Sequence, residues 1–294
     1  MMTDAGDIPP QTPTDAAPQR LAALREEIDR LDNQIHDLLM RRAEIVAEVG
    51  SAKRGANPTF LRPAREAEIL RRLVARHQGS LPFGTVARIW REIVGGMTMI
   101  QGKFGIAVYL PEGDGTYWDL ARDQFGVLPS VTVHLSAGSV LRAVSDDPAM
   151  LGVLPWPQEG DSDPWWQYVQ QADDHTPRIV ARLPAYGAAN GPSALVIARA
   201  PLEASGEDRS FLVVETLKEI SRTRLLSRVG AAGFTVDWIT DQLDKPGLPG
   251  LHLIEVEGFV IETDPRLLAL HRDNPEEIGQ PRVIGGYPMP LRRK

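Results

Sequence analysis

The chain of 294 residues contains no cysteine. That absence excludes disulfides, thiolate catalysis and Cys-based metal sites. No run of 18 uninterrupted apolar residues occurs, which argues against a transmembrane helix and a membrane partner. The first twenty residues have no apolar core, so no secretory signal is expected and the cytoplasm is the expected compartment. The six histidines, at 36, 77, 134, 175, 252 and 271, show no metal-ligand spacing.

What is present indicates a globular protein of more than one domain. Apolar residues make up 43%, near the globular norm, so a real core can be buried. The length suggests two domains rather than one. The net charge of −7 is spread unevenly. Residues 1–19 carry Asp4, Asp7 and Asp15 and no base. Residues 20–103 hold 15 Lys and Arg against 10 Asp and Glu, a net +5, which leaves −9 for residues 104–294. A basic segment inside an acidic chain suggests an anionic ligand bound there. Nucleic acid is the weaker reading and is not expected as a partner, because the bases are interleaved with acids.

Residues 1–19, with four prolines and three acids, read as a disordered tail. Apolar residues then recur at 21, 24, 28, 31, 35 and 38 and resume at Ile45 and Val49, a heptad-like helix seam. The spacing predicts one long helix to about Arg54, broken by Gly55-Ala-Asn-Pro58. One small globule cannot cover such a helix, so a homodimer through it is expected. A second helix is predicted from Arg62-Pro63 to before Gly79, and a third from Pro82 to about Gln101. Beyond residue 103, short β-like runs such as Ile106–Leu110, Ile179–Leu183, Ala194–Ala198 and Leu251–Val256 alternate with helical patterns such as Thr116–Phe125. The expectation is a multidomain chain: an all-α three-helix domain over 20–103, an α/β region over 104–206 and an α+β region over 207–294.

The anomaly lies at Arg42. The seam predicts a core-facing residue at 42, and an arginine occupies it. Burying an unpaired guanidinium costs several kcal/mol. Arg42 therefore snorkels, pairs with a helical Glu, or faces an anionic ligand. Beside the same stripe stand Arg25 and Lys53; Arg65 and Glu66 approach the apolar face of the second helix, and Gln101 ends the third on its inner side. Taken singly, each of these reads as a surface residue. Together they place four bases, one acid and one amide near one helical interior, which suits a small polyanion.

The segments LAALREEIDRLDNQIHDLLMRRAEIVAEVGSAK (21–53), RPAREAEILRRL (62–73) and IWREIVGGMTMIQ (89–101) closely resemble the all-helical class of chorismate mutases. The resemblance implies an intertwined dimer of three-helix protomers, acting in the shikimate pathway toward phenylalanine and tyrosine. It implies an isomerase whose substrate, chorismate, rearranges to prephenate by an intramolecular Claisen shift, with no nucleophile, metal or cofactor. By that resemblance Arg42 and Arg65, with Arg25 from the partner, bind the two substrate carboxylates. Lys53 and Gln101 donate to the ether oxygen, and Glu66 accepts from the ring hydroxyl. A neutral amide at Gln101 donates without needing protonation, so activity is expected to persist at neutral to mildly basic pH. Two positions depart from the family pattern, Met97 in place of a small polar residue and Arg62 in place of an acid.

The remainder resembles prephenate dehydratase followed by an ACT domain, the order of the bifunctional P-protein. FGIAVYLPEGDGTYWDLARDQFG (104–126) is similar to the dehydratase opening, with Trp118 where a serine is usual. LGVLPWPQEG (151–160) carries Pro157, Gln158 and Glu159 in place of a polar triplet, and Ser193-Ala194-Leu195 stands where the catalytic Thr-Arg-Phe is expected. Ala194 can neither expel a hydroxyl nor orient prephenate, so dehydratase activity is not expected. Residues 211–270 resemble an ACT domain in pattern, notably FLVVE and HLIEVEGF. Neither phenylalanine-binding motif is recognisable at Ile220-Ser221-Arg222 or Thr240-Asp241-Gln242-Leu243.

Other features read as structural. Gly113-Asp-Gly115 lacks the third Gly and the Lys of a phosphate loop and reads as a turn. Trp156, Trp165 and Trp166 read as packing against the sheet, with a binding surface as the alternative. The leading expectation is a chorismate mutase with a catalytically retired or regulatory C-terminal part. A working bifunctional mutase–dehydratase and a nonenzymatic regulatory protein on the same folds are the alternatives.

Overall fold

The computed structural model describes residues 16–52, 61–111, 114–161, 164–171, 173, 175–187, 191–242 and 250–292. The chain divides into two units, Met1–Ala52 and Lys53–Lys294.

The first unit is helix α1 (Ala16–Ala52), 37 residues long. At the α-helical rise it spans about 55 Å. It starts five residues before the periodic seam. Ala16 and Ala17 are strong helix formers, and Pro18 falls in the first turn, where its missing N–H is no loss. The last residues of the expected tail are thus helical. Leu21, Leu24, Ile28, Leu31, Ile35, Leu38, Ile45 and Val49 are all between 43% and 71% exposed. A lone helix has no second surface on which to bury such a stripe.

The second unit opens with α2 (Pro63–Arg76) and α3 (Phe83–Gln101), followed by β1 (Gly105–Tyr109), α4 (Thr116–Phe125), β2 (Ser130–His134), α5 (Ala137–Asp146) and β3 (Met150–Pro155). Pro63 occupies the first turn of α2, as the sequence indicates. α2 and α3 fall in the second unit, together with the strands that follow them. Ala64 and Leu70 are buried on α2, and Ala87, Gly95 and Thr98 on α3. Gly95 permits a close approach to α4: a Cβ there would stand 2.6 Å from the Phe125 carbonyl oxygen.

β1 pairs in parallel with both β2 and β3, with α4 and α5 as the crossovers. A 3-10 turn at Trp165–Val169 leads to β4 (Arg178–Leu183), β5 (Tyr186–Gly187) and β6 (Ala194–Ala198). β6 runs antiparallel between β3 and β4. Every residue of β6 is buried, the pattern of a strand covered on both faces.

The chain then follows a βαββαβ course: β7 (Asp208–Glu215), α6 (Arg222–Ala231), β8 (Val236–Gln242), β9 (Leu251–Glu257), α7 (Pro265–Arg272) and β10 (Arg282–Pro288). Its strand order, β10-β7-β9-β8, is the ferredoxin-like one. A short β11 (Leu291–Arg292) pairs with β5. Among the described residues one nine-stranded sheet runs β2-β1-β3-β6-β4-β10-β7-β9-β8. Strands from both sides of residue 207 share it, so no break in hydrogen bonding coincides with the expected boundary there.

The two halves of the sheet meet where β10 lies parallel to β4, in register at Gly285 and Ile179. Gly285 has φ +135°, and a Cβ at that position would fall 2.2 Å from the Ile179 carbonyl oxygen. Only glycine fits. Trp165 and Trp166 are 3% and 0% exposed and belong to the core under this sheet, with Trp156 packed against it. The packing reading of these tryptophans therefore holds for the first two, and Trp156 joins them at the edge.

Candidate active site

Six residues were expected to share a site. Arg25 and Arg42 lie on α1; Arg25 is exposed and Arg42 half-buried. Lys53 lies outside the described residues. Arg65 and Glu66 sit in the first turns of α2, and Gln101 is the last residue of α3.

The neighbours on α2 point to different surroundings. Arg65 is exposed and donates to Glu68 one turn on, at 2.8 Å. Glu66 is half-buried, and its Oε2 accepts from Nε2 of Gln124 on α4 at 3.2 Å. Burial pushes the Glu66 carboxyl up to about 7, working against the Gln124 hydrogen bond and the charge of Arg91. Arg91 is itself held by α4 and β5, donating to the carbonyls of Asp123 at 3.3 Å and Tyr186 at 3.1 Å. Among the described residues, no hydrogen bond or ion pair joins Arg65, Glu66 and Gln101 to one another. Arg62, which departs from the family pattern, pairs with Glu203 at 2.8 Å.

Gln124 was missed by sequence reasoning, yet the signal was present. On α4 the inward positions are Tyr117, Ala121 and Phe125, and Gln124 is an amide among them, 8% exposed. The rule that singled out Arg42, a polar side chain on an apolar seam, applies equally here.

The three degraded dehydratase motifs can be located. Trp118 is half-buried on α4, with the Arg122 guanidinium 5.7 Å from its ring centroid. Ala194 opens β6 opposite Pro155 of β3 and Leu183 of β4. It packs in a cluster with Val108, Ala121, Leu183 and Val196, an apolar environment with no place for a charge. Gln158 and Glu159 are exposed in the turn after β3.

In the βαββαβ part, the expected ligand positions carry structural roles. Ser221 caps α6, accepting from the Arg224 amide at 3.2 Å. Arg222 donates to the Ile239 carbonyl at 2.7 Å. Asp241 contacts His252 Nδ1 at 2.7 Å, which holds its carboxyl below the usual carboxylate range. Leu243 and Gly113 fall outside the described residues. At the start of α4, Asp114 already accepts from the Thr116 amide at 2.9 Å, so its own carboxylate takes the place a phosphate would need.

A cavity of about 280 Å³ is lined by Leu61, Arg62, Glu203, Asp208, Ser210 and Tyr287 among others. Its polar groups already have partners. Arg62 pairs with Glu203, Asp208 accepts from the Ser205 and Gly206 amides, and Ser210 bridges Gly258 and Val260. What remains is an apolar wall, which carries no chemistry.

Comparison with known proteins finds a family match over the helices. Residues 24–102 match the family model described as chorismate mutase type II. A bifunctional chorismate mutase/prephenate dehydratase of Pseudomonas aeruginosa is 32% identical over 141 residues, 46% of this chain and 38% of that one. Another, of Aquifex aeolicus, is 30% identical over 141 residues, 47% of this chain and 39% of its own. The matched stretch thus spans under two fifths of either relative. A prephenate dehydratase structure from Streptococcus mutans aligns at 15% identity and a TM-score of 0.42, over 63% of this chain and 97% of that one. At that score the likeness decides nothing about function. Among the described residues, no helix is long and apolar enough to cross a membrane. Residues 24–102 carry a chorismate mutase type II domain, at the head of a chain resembling the mutase–dehydratase fusions.

Proposed function

We propose that this protein is a chorismate mutase of aromatic amino-acid biosynthesis, converting chorismate to prephenate as a cytoplasmic homodimer joined through α1. The observation that carries the reading is the spacing of Arg25, Arg42, Lys53, Arg65-Glu66 and Gln101 inside the matched segment. The exposed stripe of α1 supports the dimer, since it offers an apolar surface that a second copy could cover.

The reaction is unimolecular, so catalysis consists of holding the compact conformer and stabilising the charge that develops on the breaking ether oxygen. Arg42 and Arg65, with the partner's Arg25, bind the carboxylates, and guanidinium forks suit that geometry. Lys53 and Gln101 donate to the ether oxygen. Glu66 accepts from the ring hydroxyl, a role that needs the ionised carboxylate. With its carboxyl pushed up to about 7 by burial, activity should rise with pH through neutrality. Gln101 does not titrate, so no fall should follow on the mildly basic side.

Residues 104–294 act without dehydratase chemistry in this reading, and the support is Ala194 in its apolar surroundings. The second reading, a working mutase–dehydratase, rests on the relatives that bear that name. Assay of the purified full chain on chorismate and on prephenate separates them. Prephenate formation far above the uncatalysed rate, without phenylpyruvate, is the expected result. A chorismate rate no greater than in buffer would end the mutase reading, and phenylpyruvate from prephenate would favour the second.

A further inference from the structure

We propose that Gln124, on α4 and outside the matched helices, is a positioning residue for the mutase: its amide holds the Glu66 carboxylate ionised and oriented to accept the substrate hydroxyl. The inference rests on the mutase reading for the role of Glu66, and on geometry for everything else.

Gln124 stands on an inward-facing row of α4, where an apolar side chain would pack without cost. It spends its Nε2 on Glu66 Oε2 at 3.2 Å, while its own Oε1 is buried with no hydrogen-bond partner among the described residues. An amide so placed gains its one contact only by serving the carboxylate, since an unmet buried acceptor is costly. Both side chains line a cavity of about 30 Å³ with Leu70 and Phe125, which desolvates the acid. A donor aimed at a desolvated carboxylate favours its charged form and fixes its plane. A carboxylate has acceptor capacity beyond one such bond, enough for a further donor such as a hydroxyl.

The charged surroundings of Glu66 are consistent with this. From α3, Arg91 lies close enough to favour the anion. From α4, the Asp123 carboxylate is taken by Arg88 at 2.9 Å. Arg182 of β4 lines the same cavity. On α2 itself, Arg65 and Glu68 are paired with each other. Gln124 is thus the neutral donor in direct contact, and the part that can be removed without altering the charge count.

The test uses the full-length protein and two variants, Gln124→Leu, which removes the donor, and Gln124→Glu, which nearly preserves shape. The Glu66 carboxyl is titrated by carbon NMR, and kcat and KM are followed from pH 5 to 9. For Gln124→Leu, the Glu66 titration and the acidic limb of kcat/KM should both move up by about one pH unit. That shift lowers kcat/KM about tenfold on the acidic limb, with recovery near pH 8.5. Gln124→Glu should move both further up, because a second carboxylate opposes ionisation of the first. A merely structural Gln124 would lower rate or stability at every pH and leave both midpoints in place, which would overturn the proposal. So would a variant faster than wild type throughout, since Gln124 would then be obstructing Glu66. An inactive wild type whose Glu66 titration still responds to Gln124→Leu would refute the mutase reading while leaving the contact intact. An active wild type with unmoved titration would refute the role of Gln124 alone.

Discussion

Helix α1 and strand β6 are opposite cases. Along the periodic seam of α1, eight large apolar side chains lie between 43% and 71% exposed, and most of the helix falls inside the segment that matches the chorismate mutase family model. Along β6 every residue is buried, and the position that should carry a catalytic arginine is Ala194. Completeness of packing within one chain therefore differs between the two. The helix presents an apolar stripe that a single chain leaves exposed. The strand is complete within its own chain, and alanine at 194 leaves no charge to bury there.

The sharpest way to break this contrast is Arg42→Ala. It should lower kcat/KM for chorismate by about 10³-fold or more, as expected for loss of a charge-stabilising donor, while thermal unfolding barely changes. Unchanged turnover would make Arg42 a snorkelling side chain and leave the regulatory reading. The converse substitution, Ala194→Arg, should generate no phenylpyruvate. It should instead destabilise the protein by several kcal/mol in denaturant unfolding, because the guanidinium would be buried without a partner. A stable variant that dehydrates prephenate would show that the site was dormant rather than dismantled.

Smaller effects sharpen the line between the regions at Glu66. Its carboxyl is held up to about 7 in the fold, above its ordinary value of 4.5. The stability contributed by the neutral form is full below about pH 4.5 and is lost as pH rises toward 7. Glu66→Gln should therefore be more stable than wild type above neutrality, by at most about 3 kcal/mol, with no difference below pH 4.5. Melting temperatures across pH 4 to 8 decide it. The same substitution should depress mutase activity, so the ionised carboxylate costs stability where function needs it. Least of all, Arg62→Ala removes a half-exposed ion pair with Glu203 and should change unfolding free energy by about 1 kcal/mol or less.

Much of this was legible in the residues. α2 and α3 fall where Pro63, Pro82 and their apolar rows place them, α4 matches Thr116–Phe125, and β6 matches Ala194–Ala198. Other elements left weaker marks. β8 alternates Trp238 and Ile239 with acids at the sheet edge, α7 has only eight residues, and β10 contains two glycines and a proline. Local pattern is thin in such segments, and tertiary pairing decides them. The proposed site can be read from the sequence only as a set of residue types, because anions demand guanidinium and ammonium groups. The contact between Glu66 and Gln124 is not legible there, since it joins residues 58 positions apart on helices whose packing no local pattern states.

The junction at Gly285 has a consequence of its own. Strands from before and after residue 207 join in one sheet where β4 meets β10, and the register there is a single residue pair, Gly285 and Ile179. That pair tolerates no side chain at 285, so a substitution there would be felt on both sides of the sheet at once.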